Sequence, residues 1–192
     1  MTTFSFQGRE YEVRADAPLA RMVELPVAWK WLHQFYGQSI LEVGNVLSHW
    51  YDVSHDVLDR YEHSPAVTFH GDAAVWRPKG RYDAIVCIST IEHIGEGKPD
   101  PGPHVFKPLA AVYNMLLYSL APAGKLLLTF PWRRRLEVDA LVFQLPWSTL
   151  GFLRRTGKAR WEEIGRQELR TVRYNQPYKK ANAVIIGELV RP

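Results

Sequence analysis

Tyr82-Asp83-Ala84-Ile85-Val86-Cys87-Ile88-Ser89-Thr90-Ile91-Glu92-His93 is the stretch whose reading decides the fold. Its first half is a nearly continuous, β-branched apolar run that breaks into a polar cluster. Strands of parallel sheets, covered on both faces, have this composition. Upstream, Ile40-Leu41-Glu42-Val43 ends in Gly44, Val57-Leu58 ends in Asp59, and Ala66-Val67-Thr68-Phe69 ends near Asp72. Downstream, Leu109, Val112, Tyr113, Leu116, Leu117 and Leu120 recur at helical spacing. Pro122-Ala123-Gly124 closes that helix, and Lys125-Leu126-Leu127-Leu128-Thr129-Phe130 is the next strand. Alternation of this kind predicts an α/β chain with a Rossmann-like, mostly parallel sheet and helices on both faces. Arg160 to Ile164 and Ala183 to Val190 are expected to pair with each other, so that the C-terminal strand closes the sheet antiparallel.

The N-terminal flank reads differently. Phe4 to Val13 alternates apolar and polar around Gln7-Gly8, as a small hairpin does. Leu25, Trp29, Leu32 and Tyr36 then mark a helix, with Pro26 in its first turn and Gly37 at its end. Residues 1–37 are therefore expected to form a hairpin and helix packed on an α/β domain of residues 38–192, a single domain overall. With 192 residues, 46% hydrophobic and 23% charged, the chain has the balance of a globular protein whose core needs neither disulfides nor metal. The lone cysteine, Cys87, fits a reducing compartment, and Met1 to Gln7 lacks the basic and apolar regions of a secretory signal. A cytoplasmic protein is the expectation. Leu109 to Gly124 is uncharged but too short to cross a membrane. Charge is uneven: residues 133–192 carry 13 basic and 6 acidic side chains, net +7 within a chain of net +4. Apart from Arg133-Arg134-Arg135 these arginines are dispersed, which reads as a solvated face before it reads as a nucleic-acid surface.

In an open parallel sheet, ligands bind outside the carboxyl ends of the strands. Gly44 there permits a tight turn and close approach of a ligand, and Asn45 tolerates a left-handed backbone. Asp59 is placed to accept two hydrogen bonds from a ribose diol, Asp72 follows the third strand, and Ser89, Thr90, Glu92 and His93 follow the fourth. A dinucleotide would want G-x-G-x-x-G opening a helix whose N–H groups hold the pyrophosphate. Gly44 stands alone, followed by Asn45-Val46-Leu47-Ser48, with room for one or two helical turns. That pattern disfavours a pyrophosphate and favours an adenosyl compound without phosphates.

The order Ile40 to Ser48, Asp59, Asp72, Tyr82 to Ile94 and Leu120 to Thr129 resembles the class I S-adenosylmethionine-dependent methyltransferases over roughly residues 38–132. With Arg21 to Pro26 ahead of Glu42 to His49, and Ala181-Asn182-Ala183 near the end, it is similar to a bacterial branch of that superfamily. The resemblance implies S-adenosyl-L-methionine as cofactor. It implies that Glu42 and Gly44 line the methionine part, with Asn45 beside them a further cofactor-binding candidate, that Asp59 holds the ribose, that Asp72 and Ala73 contact adenine, and that Ser89 and Thr90 border the methyl group and the substrate. It departs from the family pattern at Val46, where a second glycine is usual.

Methyl transfer is an in-line displacement for which the protein supplies orientation and a dry pocket. Where the acceptor needs a base, His93 is the candidate, with Glu92 beside it. Glu24 is a candidate to close over the cofactor, and the Gly/Pro-rich loop Gly95 to His104 a candidate lid. The histidines and single cysteine show no metal-ligand spacing, and Trp132, Trp147 and Trp161 read as core before they read as stacking surfaces. These residues point to a methyltransferase acting on a small-molecule or glycan-type acceptor, without nucleic acid or membrane, with the hairpin as a candidate homo-oligomer contact. The rivals are a methyltransferase-like binding or partner protein that does not catalyse, and an RNA-modifying enzyme using the basic third.

Overall fold

The computed structural model of the chain describes residues 2–96 and 104–192. Strands β1 (Thr3–Phe6) and β2 (Arg9–Glu12) form a hairpin. Its two-residue loop places Gln7 and Gly8 at φ 49° and 71°, the left-handed pair that matches strand twist. Helix α1 (Arg21–Leu32) follows. The main sheet then takes β3 (Ile40–Val43), β4 (Asp56–Asp59), β5 (Phe69–His70), β6 (Tyr82–Ile88), β7 (Leu120–Pro131), β8 (Thr149–Arg155), β9 (Trp161–Ile164) and β10 (Ala183–Val190). Helix α2 (Lys107–Asn114) precedes β7, short helices α3 (Leu136–Asp139) and α4 (Leu141–Gln144) precede β8, and α5 (Arg166–Leu169) follows β9. The strand order is β5-β4-β3-β6-β7-β10-β8-β9. The first five of these strands are parallel, and β10 runs antiparallel between β7 and β8.

β6 shows why its composition is apolar throughout. Ala84, Val86 and Ile88 join the cluster made with Phe4, Phe6 and the buried face of α1. Ile85 and Cys87 join the opposite cluster, with Val112, Met115 and Leu141. Both faces are dry, as expected of a central parallel strand.

Five local expectations are corrected. Trp161–Ile164 pairs with β8, and β8 also separates it from β10. β8 escapes a sequence reading because Gly151 interrupts its apolar run; a Cβ there would lie 2.4 Å from the Phe6 ring, so the glycine is where the hairpin seats on the sheet. Pro26 lies inside α1 instead of in its first turn, and the carbonyl it leaves without a helical partner, on Met22, accepts the Arg14 N–H at 2.9 Å. The Leu109–Leu120 stripe does not run as one α-helix: α2 ends at Asn114 and Met115–Ser119 form a π-turn. The wider turn breaks the 3.6-residue register, so Leu116 is buried while Leu117 is exposed. Finally, the third strand is only Phe69–His70, and Leu120–Gly124 is a bulged start of β7, not a helix end.

Candidate active site

The carboxyl ends of β3, β4 and β6 and the turn after β5 surround one cavity of about 270 Å³. Gly44, Asn45, Asp59, Asp72, Ala73, Ser89, Thr90 and His93 line it together, and Val46 forms part of its wall without filling it. Glu42 and Glu92 do not line it.

The β3 turn explains where Glu42 goes. Gly44 has φ +85°, and its N–H donates to the Leu58 carbonyl at 2.9 Å. A Cβ at Gly44 would stand 2.1 Å from Thr90 Oγ1, so the close approach that demands glycine is made by the chain itself. Only a single 3-10 turn, Leu47–His49, follows. The N–H groups of Val46 and Leu47 donate to Glu42 Oε1 at 2.7 and 2.8 Å, and His55 Nε2 lies 3.0 Å from Glu42 Oε2. Glu42 is therefore a buried brace beneath the turn, and it consumes the amides that a pyrophosphate would have required.

Both aspartates face the cavity with part of their capacity spent. Asp59 Oδ1 accepts the N–H groups of Tyr61 and Glu62, each at 2.8 Å, and its Oδ2 accepts that of Asn45 at 3.1 Å. An ionised carboxylate offers about four acceptor positions, so one remains on Oδ2. Asp72 Oδ2 is met by Arg60 Nη1 at 2.9 Å and Lys107 Nζ at 2.7 Å, while Oδ1 accepts the Ala74 N–H at 3.0 Å. The loop that carries Asp72 and Ala73 is anchored from α2, where Asn114 Nδ2 donates to the carbonyls of Ala73 and Trp76 at 2.9 and 2.8 Å. The Asn45 side chain is committed locally, donating to Glu62 Oε1 at 2.6 Å and accepting from the Ser48 hydroxyl.

At the end of β6, Ser89 adopts φ +37°, a left-handed backbone that a non-glycine residue holds only when its surroundings impose it. The surroundings are a buried polar knot. Glu24, fully buried, accepts the hydroxyls of Ser89 at 2.5 Å and Thr129 at 2.8 Å on Oε1, and pairs through Oε2 with Arg21 Nη1 at 3.1 Å. Arg21 Nη1 also donates to the Ile88 carbonyl at 3.0 Å. Glu24 thus fastens α1 under the β6 and β7 ends and does not line the cavity. Arg21 does line it, and the sequence reading missed it; its signal was the Arg-x-x-Glu spacing at the start of α1.

Glu92 and His93 sit on a one-turn helix, Ile91–His93, and face different ways. The Glu92 carboxyl is buried, with Oε2 unpartnered among the described residues. Burial, reinforced by the charge of Glu24, pushes its pKa up to about 8. His93 is half exposed, and burial of its ring together with Arg134 holds it below the usual imidazole value. Its Nδ1 is 3.1 Å from Glu96 Oε2 and 3.2 Å from Arg134 Nη2. Donation from Nδ1–H to Glu96 leaves Nε2 with a free lone pair. Of the expected lid, only Gly95, Glu96 and His104 fall within the described residues. Trp132 and Trp161 are buried in the two cores. Among the described residues no cluster of three metal-ligating side chains occurs, and no helix is long and apolar enough to cross a membrane.

No family model and no curated protein matches the chain. Among solved structures, the N-methyltransferase NodS from Bradyrhizobium japonicum WM9, bound to S-adenosyl-L-homocysteine, superposes with a TM-score of 0.50 at 13% identity, over 94% of this chain and 95% of that one. The fold is that of the class I S-adenosylmethionine-dependent methyltransferases. BH2331 of Bacillus halodurans C-125 matches with a TM-score of 0.50 at 12% identity, over 85% of this chain and 98% of its own. CalS10, an amino pentose methyltransferase from Micromonospora echinaspora, has a TM-score of 0.44 at 15% identity over 93% and 94%. Within the methyltransferase fold, the cavity between Gly44, Asp59, Asp72 and Ser89 lies at the carboxyl edge, where an open α/β sheet binds its ligand.

Proposed function

We propose that the chain is an S-adenosylmethionine-dependent methyltransferase for a small-molecule or glycan-type acceptor. The observation that carries this reading is the single cavity bounded by Gly44, Asp59, Asp72 and Ser89, with apolar walls from Val43, Leu58 and Ala73 and one carboxylate acceptor left on Asp59. An adenosyl group suits those walls, and a ribose hydroxyl suits the remaining Asp59 position. Arg21 keeps N–H donors beyond those given to Glu24 and to the carbonyls of Ile88 and Ser89, and these suit the α-carboxylate of the cofactor. When bound, S-adenosylmethionine supplies an activated methyl group on a sulfonium and leaves as a thioether. The Thr90 side chain, which lies against Gly44 and donates to the Ile88 carbonyl at 3.1 Å, would have to turn away for a methionyl chain to approach that glycine. His93 Nε2 takes the proton that an acceptor hydroxyl or ammonium group gives up, and Glu96 holds the imidazole in the required tautomer.

The test is calorimetric titration of the chain with S-adenosylhomocysteine, alone and in Asp59→Ala. Saturable binding that weakens by about 1–3 kcal/mol in the variant is the expected outcome. Absence of binding at millimolar ligand would retire the enzyme. That outcome would favour a non-catalytic binding protein, a reading supported by Thr90 resting over Gly44 and by the three amides already held by Asp59.

A further inference from the structure

A second hollow, about 560 Å³, lies between the end of β8 and residues 171–182. β8 runs parallel to β7, so this hollow opens on the same edge of the sheet as the first cavity, beyond β7 and β10. Arg154, Arg155 and Arg173 line it with Thr171, Gln176 and Asn182, and among the described residues no carboxylate does.

The three guanidinium groups are not equivalent. Arg154 is neutralised by Glu162, 2.9 Å from its Nε. Arg155 donates to the carbonyls of Gly157 at 2.9 Å and Lys158 at 3.4 Å, and lies 4.6 Å from the Tyr178 ring centre. Those contacts orient its plane and leave its charge uncompensated. The Arg173 side chain has no hydrogen-bond or ion-pair partner among the described residues. Two uncompensated cations facing one concave space repel each other, and a multiply charged anion between them removes that repulsion. Planar guanidinium groups also match oxyanions in bidentate geometry.

The wall is built rather than loose. Asn182, 1% exposed, donates to the carbonyls of Tyr178 at 2.7 Å and Lys180 at 3.0 Å and accepts the Tyr178 N–H at 3.1 Å. Asn175 Oδ1 accepts the Lys180 N–H at 2.6 Å, and the Tyr178 hydroxyl donates to the Thr156 carbonyl at 2.8 Å. This fixed loop carries Gln176 and Arg173 at its base, so little ordering cost attends binding.

We propose that the Arg155–Arg173 cleft binds a multiply charged oxyanion, the phosphate or diphosphate group of a small molecule. A nucleic-acid backbone suits it less, because Glu162 and Glu168, on the Arg154 side of the cleft, repel a long polyanion. The proposal stands independently of the cofactor reading.

The experiment titrates the full chain with inorganic pyrophosphate, and separately phosphate, at constant ionic strength. Saturable binding is expected, weakened at least tenfold in Arg155→Gln and in Arg173→Gln and unchanged in Lys79→Gln, which removes the same charge from an exposed position between β5 and β6 that does not line the cleft. Arg173→Gln removes no side-chain hydrogen bond or ion pair among the described residues, so its thermal transition without ligand should match the parent and separate loss of binding from loss of fold. Absence of saturable binding, or equal weakening by Lys79→Gln, would overturn the proposal. So would an oligonucleotide that displaces pyrophosphate with the salt dependence of several phosphate contacts. S-adenosylhomocysteine titrated into Arg173→Gln should bind as in the parent, so the two sites fail separately.

Discussion

Glu92 and Glu24 bury two carboxyl groups within reach of each other's charge, and Glu24 is the one that Arg21 pairs with directly, at 3.1 Å. Glu92 consequently keeps its proton in the fold to about pH 8, whereas in the unfolded chain it loses it near 4.5. Between those values the folded state binds more protons, so the Glu92 contribution makes stability fall as pH rises from about 5 to 8. Glu92→Gln should remove that slope. In urea denaturation the variant should gain on the parent more at pH 8.5 than at pH 5, and a difference independent of pH would place the carboxyl in solvent. His93 works the other way: with its pKa held below 6.5, it stays neutral through neutral pH and charges only on acidification. Methyl transfer that relies on it should decline on the acid side of neutrality, and His93→Gln should lower kcat while leaving S-adenosylhomocysteine affinity unchanged. Gly44→Ala meets both a positive φ and the Thr90 side chain. It should cost about 2 kcal/mol in denaturation and weaken cofactor binding.

At the scale of elements, the cavity depends on two that do not contribute its most conspicuous residues. α1 is pinned beneath β6 and β7 by Glu24, and α2 pins the loop after β5 through Asn114. Asn114→Leu keeps the volume but orphans the carbonyls of Ala73 and Trp76. It should destabilise by about 1–3 kcal/mol and speed amide exchange over residues 71–76, where an effect confined to α2 itself would contradict the anchoring role. The elements a sequence reading finds are those whose environment is uniform along their length. β6 is dry on both faces, so its apolar run is continuous; β8 meets the Phe6 ring at Gly151 and the pattern breaks there. The π-turn after Asn114 is invisible for a related reason, because no residue type announces a change of helical pitch.

For the whole molecule, a ligand that binds only the folded chain must stabilise it by mass action. S-adenosylhomocysteine at a hundred times its Kd should add about 2.7 kcal/mol, which raises the transition of a chain this size by roughly 5–11 °C. The hairpin and α1 should melt in the same transition, since they share one buried cluster with β6, β7 and β10. A separate early transition would divide the molecule in two.

The apolar runs of β3, β4, β6 and β7, the glycine turn at Gly44 and the acids at Asp59 and Asp72 follow from the sequence, because each is a local pattern: an apolar run, a backbone that must turn, a carboxylate at or just beyond its end. The sequence also sets the surplus of arginine in the last third. Tertiary structure alone decided what those groups touch. Glu42 turned inward to hold two amides, Asp72 met Arg60 and Lys107, Glu92 was buried with Oε2 unpartnered among the described residues, and Arg155 and Arg173 converged on one hollow. Charge and hydrogen-bonding capacity belong to the residue, but whether they are spent or left over depends on neighbours brought from distant parts of the chain.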